Sequence, residues 1–131
     1  MKNVFLLILM LLLSACSITS HTWVLEKDRL SEVSSVKNYV EQLQTNEADL
    51  RGYRVFTISE GSKMVVVSSG SIDKALKFVE ADVSENNTTI SVEEISQNSD
   101  EANPYILIGI DEIKGELTVV NENGDEFKVV E

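Results

Sequence analysis

The sequence predicts a mainly β fold: a small antiparallel β sandwich or meander with one N-terminal helix. From Tyr53 onward, apolar residues fall in short runs rich in Val, Ile, Tyr and Phe. Gly, Ser and Asn separate these runs at the spacing of strands and turns. Two runs, Lys63 to Ser68 (KMVVVS) and Tyr105 to Ile110 (YILIGI), are apolar on both faces, as central strands are. Before Tyr53 the best helical spacing is that of Asp28 to Leu43, where Leu30, Val33, Val36, Val40 and Leu43 share a face.

The elements follow in chain order. Trp23-Val24-Leu25 is a brief apolar patch, read as packing onto the domain in preference to an interfacial membrane anchor. Asp28 or Ser31 suits the cap of the helix, and Gln44 to Gly52 is a polar connection. Tyr53 to Ser59 is a strand, Glu60-Gly61-Ser62 a turn, and Lys63 to Ser68 a second strand. Ser71 to Val83 supports two patterns. Ile72, Ala75, Leu76, Val79 and Val83 fit a helix. Leu76 and Phe78, then Val79, Ala81 and Val83, fit a strand whose alternation shifts once, as at a bulge. The strand is favoured, because Asn86-Asn87 turns it into the strongly β-like run Thr88 to Ile95. Ser96 to Asn103 is a polar loop, and Pro104 suits the first position of the strand that follows. Glu116 to Val120 and Asp125 to Val130 then flank Asn123-Gly124, which predicts a hairpin closed by a type I′ turn.

The totals bound the class. The chain has 131 residues, 43% hydrophobic and 25% charged, which suits one globular domain. Its net charge is −11, so it lacks the clustered Lys and Arg that phosphate contacts need, and no nucleic-acid partner is expected. The single cysteine excludes an intramolecular disulfide.

That cysteine closes a distinctive N-terminal segment. Lys2 supplies one positive charge, Val4 to Leu13 (VFLLILMLLL) is unbroken apolar sequence, and Ser14 and Ala15 are small. This is the pattern of a secretory signal peptide, and the apolar run is shorter than the roughly 20 residues a spanning helix needs. Leu13-Ser14-Ala15-Cys16 resembles the lipobox of bacterial lipoproteins. The resemblance implies that Cys16 receives a diacylglyceryl group and that a dedicated peptidase removes Met1 to Ala15. Two acyl chains suffice for stable anchoring, whereas the acidic surface is repelled by anionic lipid heads. Ser17 is compatible with a Gram-positive source and with outer-membrane sorting. The expected organisation is a signal peptide over 1–15, a lipid-anchored tether over 16–27, and a single acidic β-rich domain over 28–131. The expected location is the extracytoplasmic face of the cell membrane.

A second resemblance covers Tyr53 to about Asp111. The order KMVVVSSG, ALKFVEADV, TTISVEEI, a polar loop and NPYILIGID is similar to the C-terminal domain of the PrcB family of secreted protease-complex proteins. That family carries a Pro-Thr-Gly-Gly-Tyr segment after the glycine matching Gly70, where this chain has Ser71-Ile72-Asp73-Lys74-Ala75. The resemblance implies a β fold and, as an alternative function, regulation or inhibition of a secreted protease.

No group of residues composes a catalytic centre. His21 is the single histidine and falls in the tether, which disfavours a triad or a His-based zinc site. Glu93-Glu94, Asp100-Glu101, Asp111-Glu112, Glu122 and Asp125-Glu126 read as solvated acids, since neighbours on a strand point to opposite faces. Asn121 to Glu126 lacks the full spacing of a calcium loop. Tyr53, Phe56, Tyr105 and Phe127 read as core. No catalytic residue, metal or cofactor is expected, and Cys16 is the one assigned site, for lipidation. The leading expectation is a non-enzymatic lipoprotein that binds or scaffolds an envelope protein. The alternatives are a regulator or inhibitor of a secreted protease, and a small-ligand or cation-binding lipoprotein.

Overall fold

A computed structural model of the chain describes residues 21–58 and 61–131. Cys16, the signal segment and residues 16–20 of the tether lie outside the described residues.

The fold is mainly β, in two sheets. Strands β1 (Thr22–Val24), β2 (Gly52–Thr57), β3 (Lys63–Ser68) and β6 (Tyr105–Ile110) form one antiparallel sheet in the order β1-β6-β3-β2. Strands β4 (Lys74–Val83), β5 (Asn87–Ser96) and β7 (Glu116–Val120) form the other, in the order β4-β5-β7. Helix α1 (Ser34–Gln44) covers the outer face of the four-stranded sheet.

Three layers result, and they explain the two doubly apolar runs. Side chains alternate across a strand. Val65, Val67, Ile106, Ile108 and Ile110 point toward the second sheet, where they meet Ile90, Val92, Val119 and Phe127. Met64, Val66, Tyr105 and Leu107 point the other way, onto Val36, Tyr39, Val40 and Leu43 of α1. Strands β3 and β6 are therefore buried on both sides. Tyr53, Tyr105 and Phe127 are buried and Phe56 packs beside Tyr39, so these aromatics belong to the core.

The β4–β5 hairpin forms, and its register slips between Phe78 and Glu80, where the alternation of the sequence shifts. The structure corrects four other expectations. The single helix over Asp28 to Leu43 is two elements, a 3₁₀ helix at Lys27–Glu32 and then α1, separated at Val33 by extended φ/ψ of −129° and 88°. The tether does not run to residue 27, because β1 pairs with β6 and the His21 carbonyl accepts a hydrogen bond from the Asp111 N–H at 3.1 Å. The C-terminal hairpin stops after one bridge, Val120 with Glu126. Strand β7 instead lies parallel to β5, and the chain after Phe127 turns to β2, with the Val130 N–H donating to the Tyr53 carbonyl at 2.7 Å. The turn itself is centred on Glu122-Asn123, closed by the Gly124 N–H on the Asn121 carbonyl at 3.0 Å. Gly124 follows at φ 82°, the three-residue loop with a glycine bulge, in place of type I′.

Candidate functional site

The four-stranded sheet has two distinct ends. Thr22 of β1 and Lys63 of β3 both pair with Ile110, so the tether leaves at this end. Ser68 pairs with Gly52 and with Tyr105 at the other end, five residues away along β6, or about 17 Å at the usual strand rise.

The end remote from the tether carries a polar bowl of about 500 Å³, rimmed by Asp49, Ser69, Gly70, Lys74, Asn123 and Asp125. At its floor, Arg51 donates through both terminal nitrogens to the carboxylate of Glu94 on β5, with Nη2 to Oε2 at 2.9 Å. The guanidinium lies over the Phe127 ring, 4.1 Å from its centroid. Asn121 donates from Nδ2 to Glu94 Oε2 at 2.8 Å, while its Oδ1 accepts from the backbone N–H groups of Asn123 and Asp125, each at 2.9 Å. Glu122 Oε2 accepts from the Glu94 N–H at 2.9 Å. Four acids, Asp49, Glu94, Glu122 and Asp125, thus surround two cations, Arg51 and Lys74, and the bowl is net negative.

Glu94 is the exception among the acids read as solvated: its side chain is 8% exposed, while Glu93 faces solvent on the opposite side of β5. The hydrogen bond from Arg51 holds the Glu94 carboxyl below its ordinary range against the opposing cost of burial, helped by Asn121. The folded state therefore binds the Glu94 proton less readily than the unfolded chain. The resulting stability is full above the unfolded glutamate pKa of about 4.3 and is lost as pH falls through the lower folded value. Glu94→Gln is expected to lower the unfolding free energy at pH 7 by about 2 kcal/mol, the scale of a charge-assisted hydrogen bond. The gap to the parent protein should close as pH falls below the unfolded glutamate value and through the lower folded one, as urea titrations across that range will show.

The tether end carries an open groove of about 420 Å³ between α1 and the sheet. Trp23, Leu25, Val33, Ile58 and Met64 provide its apolar lining, and Arg29 and Glu32 pair across its lip at 2.9 Å. Trp23 packs over Gly109, where a Cβ would clash with the carbons of the indole ring. His21 is exposed and stacks on Trp23, with centroids 5.5 Å apart. The sequence segment assigned to the tether therefore begins the domain at His21.

Among the described residues, no group of three or more His, Cys, Asp or Glu is placed to hold a metal ion, and no helix is long and apolar enough to cross a membrane. The network of Arg51, Glu94 and Asn121 draws on three separate segments and left no local motif in the sequence. Its one visible sign was the Asn121-Glu122-Asn123-Gly124-Asp125 turn.

These features define a small three-layer β domain with a shaped surface at each end of its central sheet. The chain belongs to the family of YycS, an uncharacterized protein of Bacillus subtilis (strain 168), with which it is 47% identical over 129 residues, spanning 95% of this chain and 92% of the relative. No protein-family model matches the chain, and no solved structure matches it.

Proposed function

We propose that this protein is a lipid-anchored, extracytoplasmic, non-enzymatic module that binds or scaffolds another envelope protein through the bowl. One observation supports this reading above others. The lipobox-like Cys16 lies six residues before β1, and β1 enters at the end of the sheet remote from the bowl. An anchor at Cys16 holds the tether end near the bilayer and presents the acidic bowl away from it. The partner expected there offers a cationic surface, since the bowl is net negative.

The anchor is tested by mass spectrometry of the native protein, which should find an acylated Cys16 as the N-terminus. Any other N-terminus overturns the anchor. The bowl is tested by crosslinking in intact cells. Asp49→Lys with Asp125→Lys, both exposed, should abolish crosslinks that Glu41→Lys on the exposed face of α1 preserves. Equal crosslinking by all three proteins overturns the bowl as the contact.

A second reading, regulation of a secreted protease, is favoured by one feature. Gly70 and Ser71, where the PrcB family carries its extra segment, lie on the rim of the bowl. A crosslinked partner with protease activity supports it.

A further inference from the structure

We propose that the groove beside Trp23 rests on the bilayer interface and takes lipid hydrocarbon, fixing the orientation of the domain on the membrane. This rests on the lipid-anchor reading.

The length of chain between Cys16 and the fold commits the groove to this occupant. Six residue steps separate Cys16 from Thr22, a reach of at most about 20 Å even when fully extended. The groove opens at the same end of the sheet, since Trp23 is the residue after Thr22 and Met64 the residue after Lys63. A lipid on Cys16 therefore keeps this groove within a short distance of the headgroups in every orientation the tether allows.

The lining mixes apolar side chains with Arg29, Glu32, Ser34 and Ser35, as a headgroup boundary mixes them. Trp23, Ile58 and Val33 are only partly covered. Tryptophan suits the headgroup boundary, with an apolar body and one polar N–H. Arg29 on the lip has a stem long enough to reach headgroups while Glu32 balances its charge. A zwitterionic surface is enough, because hydrocarbon contact and not charge holds the groove down.

The single tryptophan of the chain makes the test direct. The full lipidated protein is reconstituted into zwitterionic vesicles, with and without bromine on the lipid acyl chains near the headgroup. Flotation reports the anchor, and Trp23 emission reports the groove. The expected result is flotation with a blue-shifted emission that brominated lipid quenches at least twofold. Adding charge with Ser34→Glu and Ser35→Glu, both exposed at the start of α1 where glutamate suits the helix dipole, should halve the quenching and leave flotation intact. Flotation with unquenched Trp23 overturns the proposal and leaves the anchor standing. Blue emission that bromine does not touch assigns the groove to protein, either residues 16–20 or a second copy, and also overturns it. Failure to float overturns the anchor and takes the proposal with it.

Discussion

Asn103→Ala is expected to lower the unfolding free energy by about 3 kcal/mol, near the upper end of single-residue effects. Asn103 is fully buried in the loop before β6. Its Oδ1 accepts from the Gly70 N–H at 2.8 Å, and its Nδ2 donates to the carbonyls of Leu50 at 2.8 Å and Glu47 at 3.1 Å. Gln44 brackets its backbone, with Oε1 accepting from the Asn103 N–H at 3.1 Å and Nε2 donating to its carbonyl at 2.7 Å. One amide thus ties the end of α1, the connection into β2 and the Gly70 corner to a single point. Alanine leaves the Gly70 N–H without its partner and takes one donor from the Leu50 carbonyl, which Ser68 Oγ also reaches at 2.8 Å, and an unpaired group shielded from water costs about 1–3 kcal/mol.

Asn103→Asp separates this account from a simple loss of volume. Aspartate keeps the shape but places an oxygen against two carbonyls and buries a charge. It should cost more than alanine at pH 7 and recover part of that loss when protonated at low pH. Urea midpoints at the two pH values decide the matter. A loss below 0.5 kcal/mol for Asn103→Ala would show that the three segments are held by other contacts.

What could be read in advance was local. The doubly apolar runs gave β3 and β6, because burial on both faces leaves no polar alternation to mistake. The shifted alternation at Val79 marked the bulge for the same reason. Partner choice was not local. Asn123-Gly124 marks where the chain reverses, but nothing near it says that the returning segment will leave β7 after one bridge and pair with β2. Phe127 decides it, by burying itself between the sheets and drawing the backbone with it. The break at Val33 is similar: no Pro or Gly marks it, and Leu30 and Val33 pack beside the helix cluster from outside α1. The bowl was the least legible part, because Arg51, Glu94 and Asn121 are ordinary polar residues until three segments meet.

The groove end depends on a residue that has no side chain. Gly109 lies inside β6 and pairs with Trp23, and the indole occupies the space where a Cβ would stand. Gly109→Val sets two rules against each other. Intrinsic preference favours valine in a central strand over glycine, by up to about 1 kcal/mol. Packing opposes it, because the indole fills the space over Gly109 and must swing into the open groove or lift β1 from the sheet. Packing should win, with a net loss of about 2 kcal/mol, the scale of overpacking in a filled core. The sole tryptophan should shift its emission to the red as it enters water. Strand β1 is held by three paired positions and by the Leu25 N–H on the Leu107 carbonyl at 2.9 Å. Its amides should therefore exchange hydrogen much faster in the variant, while those of β3, buried on both faces, keep most of their protection. Unchanged emission with unchanged exchange would mean that β6 yields instead of Trp23. On the anchored reading this carries a functional consequence. Strand β1 is the only covalent route from Cys16 to the domain, so loosening it lengthens the free tether and frees the bowl from a fixed height above the bilayer.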